Sequence, residues 1–305
     1  MTEMPAVNHA MPIDCRNARK IAVFAGAYGN VPAMKACIED AKSKQCDRLA
    51  FIGDAIGCCG HSNEILDLIN TSMAIRVAGN HEQQVVLGQE SCGCGYTSRD
   101  DELLGCQAFA LATGELDACH RKALAHWPNE LMLDSACGRI LLCHGSPDRT
   151  NEFLYESQLD HLRLRKWLEQ RDAIGFVCSH SGLPWIRSVD SSGFAVNCGV
   201  VGKPDHDGDT AVHYAILDCS RTGMICVTIE SVTYDARAWA MQLRQQGVPE
   251  IFITPLETGI WTTGVKSLPE SQRSPSRNFG PLRLIMPVPA RHRIKISSGK
   301  GSIAT

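Results

Sequence analysis

The stretch Leu49-Ala50-Phe51-Ile52-Gly53-Asp54-Ala55-Ile56-Gly57 decides how this chain reads. Leu49 to Ile52 is a strand-sized apolar run, and it stops at a Gly-Asp pair. The same pattern recurs on either side. Short apolar runs occupy Ile21 to Ala25, Ala74 to Ala78, Ile140 to Cys143 and Phe176 to Cys178. Between them, Val31 to Ser43 carries Met34, Ala36, Cys37, Ile38 and Ala41 at helical spacing, and Ser62 to Asn70 and Ser157 to Gln170 follow polar N-cap candidates. Such alternation predicts a layered α/β or α+β sheet protein. The runs Phe194 to Asn197, Val212 to Leu217 and Met224 to Ile229 lie close together across Gly and Asp, which predicts a more antiparallel second half. Gln89 to Cys106, with clustered Gly, Cys, Ser and Asp, reads as a long loop or insertion of the kind that carries function.

Polar residues of metal-binding type follow these runs. Gly53-Asp54 comes after the first, Gly79-Asn80-His81-Glu82 after Ala78, His144-Gly145 after Cys143, and Ser179-His180-Ser181 after Cys178. In an open sheet the carboxyl ends of parallel strands share one edge, so the four groups can converge there. Asp54, Asn80, His144 and His180 offer one carboxylate, one amide oxygen and two imidazoles, a set suited to Mn, Fe or Zn. His81, next to Asn80, is placed to give a proton to a leaving oxygen. Taken singly, a Gly-Asp pair or a His after a strand is a turn residue or a satisfied surface group; four in this order point to a site.

The 305 residues, 44% hydrophobic and 21% charged, suffice for one large core or two modest ones and exclude wholesale disorder. No apolar run approaches the roughly 20 residues needed to cross a bilayer. Met1 to Lys20 has no apolar block behind a basic start, so an unsecreted protein is expected. Fifteen cysteines, odd in number and partly inside apolar runs, predict reduced thiols in a cytoplasmic protein. The net charge of −3 conceals residues 266–305, which hold eight Lys/Arg and one acid. That segment's prolines, Ser and Gly predict a disordered tail from residue 261, beside a flexible stretch 1–19. A basic tail can touch nucleic acid, but it lacks aromatic interleaving beyond Phe279, so a solvated tail is preferred.

The motifs Phe51-Ile-Gly-Asp54-Ala-Ile-Gly57, Ala78-Gly-Asn-His81-Glu82, Leu142-Cys-His144-Gly145 and Cys178-Ser-His180-Ser-Gly-Leu-Pro184 resemble, in order and spacing, the calcineurin-like metallophosphoesterase family, particularly its small bacterial branch. Val196 to Pro204 and Val232 to Asp235 extend the resemblance over residues 20–260. It implies a four-layer sandwich in which two packed mixed sheets are flanked by helices. It also implies a phosphoester or phosphoanhydride as substrate, in a phosphorylated small molecule or nucleotide, and a pair of metals in which Asp54 bridges. The chain departs in the first motif, where Gly26 and Tyr28 replace a carboxylate and an imidazole, and in the fifth, where Gly182 replaces a second imidazole. All three losses fall on one metal position. One divalent transition metal on Asp54, Asn80, His144 and His180 is therefore expected, with His81 as general acid and the second metal left without its ligands.

Other residues have two readings each. Tyr28 is a pocket wall or a phenolate ligand, and Asn30 shares its loop. Cys58, Cys59, Cys92 and Cys94 either meet as a thiolate cluster at the site's mouth or stay free thiols, with His61 beside the first pair. Arg149 is a phosphate clamp or the ion-pair partner of Asp148 or Glu152. Two further functions compete with a weakened hydrolase: a non-catalytic binding descendant of the same fold, and a cysteine-rich metal or redox sensor.

Overall fold

The structure is a computed structural model that describes residues 12–190, 193–275 and 282–288. The chain opens with β1 (Ile13–Cys15), β2 (Lys20–Phe24), α1 (Val31–Ser43), β3 (Arg48–Ile52), α2 (Ser62–Ser72), β4 (Ile75–Val77) and α3 (Asn80–Val86). Then come α4 (Arg99–Glu115), α5 (Ala118–Leu124), β5 (Glu130–Ser135), β6 (Gly138–Cys143), α6 (His161–Arg171) and β7 (Gly175–Cys178). The last elements are β8 (Trp185–Val189), β9 (Gly193–Asn197), β10 (Val212–Asp218), β11 (Met224–Val232), α7 (Ala236–Gln245), α8 (Glu250–Thr258) and β12 (Arg283–Pro287).

Two six-stranded mixed sheets result, in the orders β12-β11-β10-β2-β3-β4 and β1-β5-β6-β7-β9-β8. Period-two alternation in the central strands explains how they stack. In β2, Ile21 and Val23 face the other sheet, where they join Leu133, Ile140, Leu142, Val177 and Val196, while Ala22 and Phe24 face α1 and α2. In the second sheet, Leu141, Phe176 and Ala195 face Leu164, Trp167 and Leu168 of α6. The order is helix, sheet, sheet, helix: the four-layer α/β sandwich expected. The strands β2, β3 and β4 are parallel, as are β6, β7 and β9, so each sheet presents a set of carboxyl ends. No helix among the described residues is long and apolar enough to cross a membrane.

Three expectations need correction. Residues 99–106 belong to α4 and not to a loop; Asp100, Asp101 and Glu102 in its first turn complement the helix dipole. The stretch assigned as a flexible N-terminus contains β1, paired with β5. The segment assigned as a disordered tail contains β12, paired antiparallel with β11, and its Met286 and Val288 sit in the core between the sheets. Pro287 is tolerated because this is an edge strand. Trp261 and Leu268 are also buried, against Tyr155, and the Asp101 carboxylate accepts the backbone N–H groups of Gly264 and Ser267. Composition averaged over 45 residues concealed these local apolar positions. Residues 289–305, with four of the eight basic residues, lie outside the described residues.

Candidate metal centre

Gly53 and Asp54 leave β3 with φ of 95° and 61°. Gly53 tolerates no side chain, since a Cβ there would meet the Gly79 nitrogen at 2.4 Å and His144 Nδ1 at 2.6 Å. Asp54 adopts the left-handed region at a cost, which marks a turn held for function. What holds it is Glu82. This fully buried carboxylate accepts backbone N–H bonds from Asp54 (2.8 Å), Ala55 (2.8 Å) and Gly79 (2.7 Å), tying the loops after β3 and β4 together.

Asp54, His144 and His180 converge, with ligand atoms within 4.8 Å of one another. His144 Nε2 lies 3.2 Å from Asp54 Oδ2 and 3.2 Å from His180 Nδ1. Ligands about 2.1 Å from a shared cation are spaced by roughly 3.0 to 3.4 Å in octahedral and tetrahedral sites, so these distances match. The far side of each ring is engaged: His144 Nδ1 donates to the Ile52 carbonyl at 2.7 Å, and His180 Nε2 to the Cys94 carbonyl at 3.0 Å. With both imidazoles neutral, the state in which they bind metal, the two facing nitrogens turn their lone pairs toward the same point. Asn80 completes the set. Its Nδ2 donates to the Cys92 carbonyl at 2.8 Å and to Cys94 Sγ at 3.3 Å, while its Oδ1 is buried without a hydrogen-bond partner. A buried oxygen left without a partner, next in sequence to His81, is a group that a divalent cation would satisfy.

Burial raises the Asp54 carboxyl, but the charges of His144, His81 and His180 outweigh it and hold the group below the usual carboxylate range. Burial likewise opposes charge on His144, yet Asp54 raises it; His180, buried and facing His144, is pushed down to about 3. His81 sits at the edge of this set. Its backbone N–H donates to Asp54 Oδ1 at 3.2 Å, its Nδ1 donates to the Ile56 carbonyl at 2.8 Å, and Asp54 and Cys92 overcome burial to raise it to about 10.

Apolar side chains stand against the two glycines where the resemblance expects a carboxylate and an imidazole. A Cβ on Gly26 would meet Val200 Cγ1 at 2.4 Å, and one on Gly182 would meet the Trp261 ring at 3.2 Å. Burial holds the Tyr28 phenol well above its ordinary range, and a Cβ on Gly57 would meet its ring at 2.8 Å. Neither a carboxylate at 26 nor an imidazole at 182 fits without moving Val200 and Trp261.

Several candidates fall outside the centre. The Asn30 side chain caps α1 through Ala33 N and donates to the Gly202 carbonyl and to Tyr234, which uses the amide structurally. Arg149 is exposed and pairs with Glu152 at 3.9 Å, the ion-pair reading. His61 bonds Gln246 at 2.9 Å and tilts over Trp239; Cys59 is buried in the same α7 and α8 cluster, with Cys58 against it. The four-cysteine cluster is thus corrected: Cys92 and Cys94 meet His81 instead, because residues 92–96 fold down over the centre. Gly93's carbonyl accepts from Asn151 at 2.9 Å, the Phe153 ring lies 4.3 Å from His180, and Tyr96 lies against Phe153. As a result Asp54, Asn80, His81, His144 and His180 are all buried, none exposed by more than 7%.

Glu82, Phe153 and the lid-like role of Cys92 to Tyr96 were missed in the sequence, although Glu82 stood in a quoted motif. So was Lys203, whose ammonium lies 3.5 Å over the Trp261 ring and which burial pushes down to about 8.

Layers, strand ends and ligand positions together define the calcineurin-like metallophosphoesterase fold, and the chain has that fold. The likeness to known proteins agrees. A solved metallophosphoesterase from Sphaerobacter thermophilus superposes with a TM-score of 0.61 at 24% identity, over 80% of this chain and 100% of that one. The hypothetical protein PH1004 from Pyrococcus horikoshii OT3 superposes with a TM-score of 0.63 at 17% identity, over 79% and 99%. In sequence, the chain is 24% identical over 246 residues to the uncharacterized protein MJ0912 of Methanocaldococcus jannaschii, covering 75% of this chain and 94% of that protein. No protein-family model matches.

Proposed function

We propose that this chain is a metal-dependent hydrolase of phosphoester or phosphoanhydride bonds in a phosphorylated small molecule or nucleotide. It works with one divalent transition metal, Mn, Fe or Zn, held by Asp54, Asn80, His144 and His180. The observation that carries this reading is the convergence of Asp54 Oδ2, His144 Nε2 and His180 Nδ1, with the far nitrogen of each ring held by a backbone carbonyl. When bound, the cation supplies Lewis-acid polarisation of a phosphoryl oxygen and lowers the pKa of a water. The chain's own residues do the rest. Glu82 fixes the Asp54 and Gly79 loops; the backbone carbonyls of Ile52 and Cys94 orient the two imidazoles; His81 holds a proton on Nε2 for the leaving oxygen. Losing one Lewis acid costs several kcal/mol in the transition state, so turnover is expected to be about a thousandfold below that of a two-metal enzyme. All fifteen cysteines are free thiols, which supports a reducing, cytoplasmic setting.

The test is elemental analysis of protein purified without a chelating tag, followed by an aryl phosphodiester assay with added manganese. One Mn, Fe or Zn per chain that is lost in His144→Ala, and a slow turnover lost in His144→Ala and His81→Ala, are expected. Unchanged metal content in His144→Ala overturns the assignment.

The closed segment over the site favours a second reading, a binding or regulatory protein without turnover. Absence of metal and of activity in the same assay selects it.

A further inference from the structure

We propose that Cys92 and Cys94 form, with His81, a second metal site of different chemistry that takes a soft cation such as zinc when residues 92–96 close over the centre. It goes beyond the Asp54 site and rests on that reading only for its consequence, not for its existence. The His81 ring nitrogen and the two sulfurs lie within 4.8 Å of one another, and all three residues are buried. His81 Nε2 is 3.4 Å from Cys94 Sγ. In a tetrahedral zinc site, with Zn–S near 2.3 Å and Zn–N near 2.0 Å, the nitrogen-to-sulfur edge is about 3.5 Å.

Each ligand has the outer support that metal ligands need. His81 gives its Nδ1 proton to the Ile56 carbonyl, which leaves the Nε2 lone pair toward the sulfurs. Cys94 Sγ accepts from Asn80 Nδ2 at 3.3 Å, and Cys92 Sγ accepts from the Cys94 backbone N–H at 3.4 Å. Two thiolates and one imidazole are softer than the Asp54 set, so the sites sort cations by softness, and three protein ligands leave a fourth position for water or another donor. Asn80 is the shared wall: its nitrogen supports Cys94 while its oxygen is left to the Asp54 centre. A cation on His81 Nε2 takes the atom that would carry the acid proton. The thiolate site therefore holds the segment shut and silences His81 in the same state.

The test uses the full chain, stripped of metal and titrated with cobalt(II), then zinc. The unmodified protein is expected to take two cobalt ions and to develop a sulfur-to-cobalt charge-transfer band that zinc abolishes. Cys92→Ser/Cys94→Ser should take one ion and lack the band. In the unmodified protein, which removes any doubt about folding of the variant, zinc should slow alkylation of Cys92 and Cys94 about tenfold or more. Alkylation indifferent to zinc, a missing band, or a Cys92 to Cys94 disulfide in place of bound metal overturns the proposal. His144→Ala separates it from the Asp54 reading: that variant should lose one cobalt and keep the band, whereas an intact band with two cobalt ions still bound sinks the Asp54 assignment alone.

Discussion

His144 Nε2 and His180 Nδ1 face each other at 3.2 Å while the far nitrogen of each ring is committed to a backbone carbonyl. A cation shared by the two nitrogens would tie the loops after β6 and β7 together, so metal binding and folding are linked here. Manganese at 100 times its dissociation constant should raise stability by about 2.7 kcal/mol. Thermal melts with and without chelator measure this, and His144→Ala and His180→Ala should each remove most of the shift.

Glu82 touches no metal in this assignment, yet it joins two of the loops that carry the ligands. Glu82→Gln puts an NH2 group against backbone N–H donors. Stability should fall by about 1 to 3 kcal/mol and metal affinity by roughly 10- to 100-fold. Urea unfolding and calorimetric titration report the two effects separately; an unchanged affinity would make Glu82 a purely structural residue.

Asn151 pins residues 92–96 through the Gly93 carbonyl. Removing that bond in Asn151→Ala weakens closure by about 1 kcal/mol, which should speed alkylation of Cys94 roughly fivefold. Mass spectrometry of timed samples checks this. A rate equal to that of the unmodified protein would mean that the bonds from Asn80 and His180 to the Cys92 and Cys94 carbonyls hold the segment without Asn151.

Lys203 provides a pH test away from the ligands. Burial lowers its pKa from the ordinary 10.5 to about 8, against the attraction of Cys58, Cys94, Asp101 and Asp205. Between pH 8 and 10.5 the unfolded chain binds more protons at this lysine than the folded one, so its contribution to stability rises with pH across that window and is lost below it. Lys203→Met should flatten this slope in chemical denaturation measured from pH 7.5 to 10.

Met286 distinguishes a packed strand from a solvated tail. It is 5% exposed, between the sheets. Met286→Asp buries a charge without a partner and should cost about 2 kcal/mol or more. Unaltered stability would mean that β12 contributes nothing to the core.

The order of short apolar runs was enough to read a layered α/β sheet, the family resemblance implied the sandwich, and the polar groups after the runs made Asp54, Asn80, His144 and His180 candidates, because strand ends are set by local periodicity and converge on a sheet edge. The three substitutions Gly26, Tyr28 and Gly182 were also visible, but not their meaning. Only the folded chain places Val200 and Trp261 against those glycines, since they come from segments about 175 and 80 residues away in sequence. The same holds for Cys92 and Cys94: their spacing was compatible with Cys58 and Cys59 or with no partner, and the loop's path onto His81 and Asn80 decided it. Arg149 and Asn30 were legible only as residue types with suitable chemistry. Whether such a group meets a ligand or satisfies a helix cap or an ion pair depends on contacts between distant segments, and backbone periodicity holds no record of those.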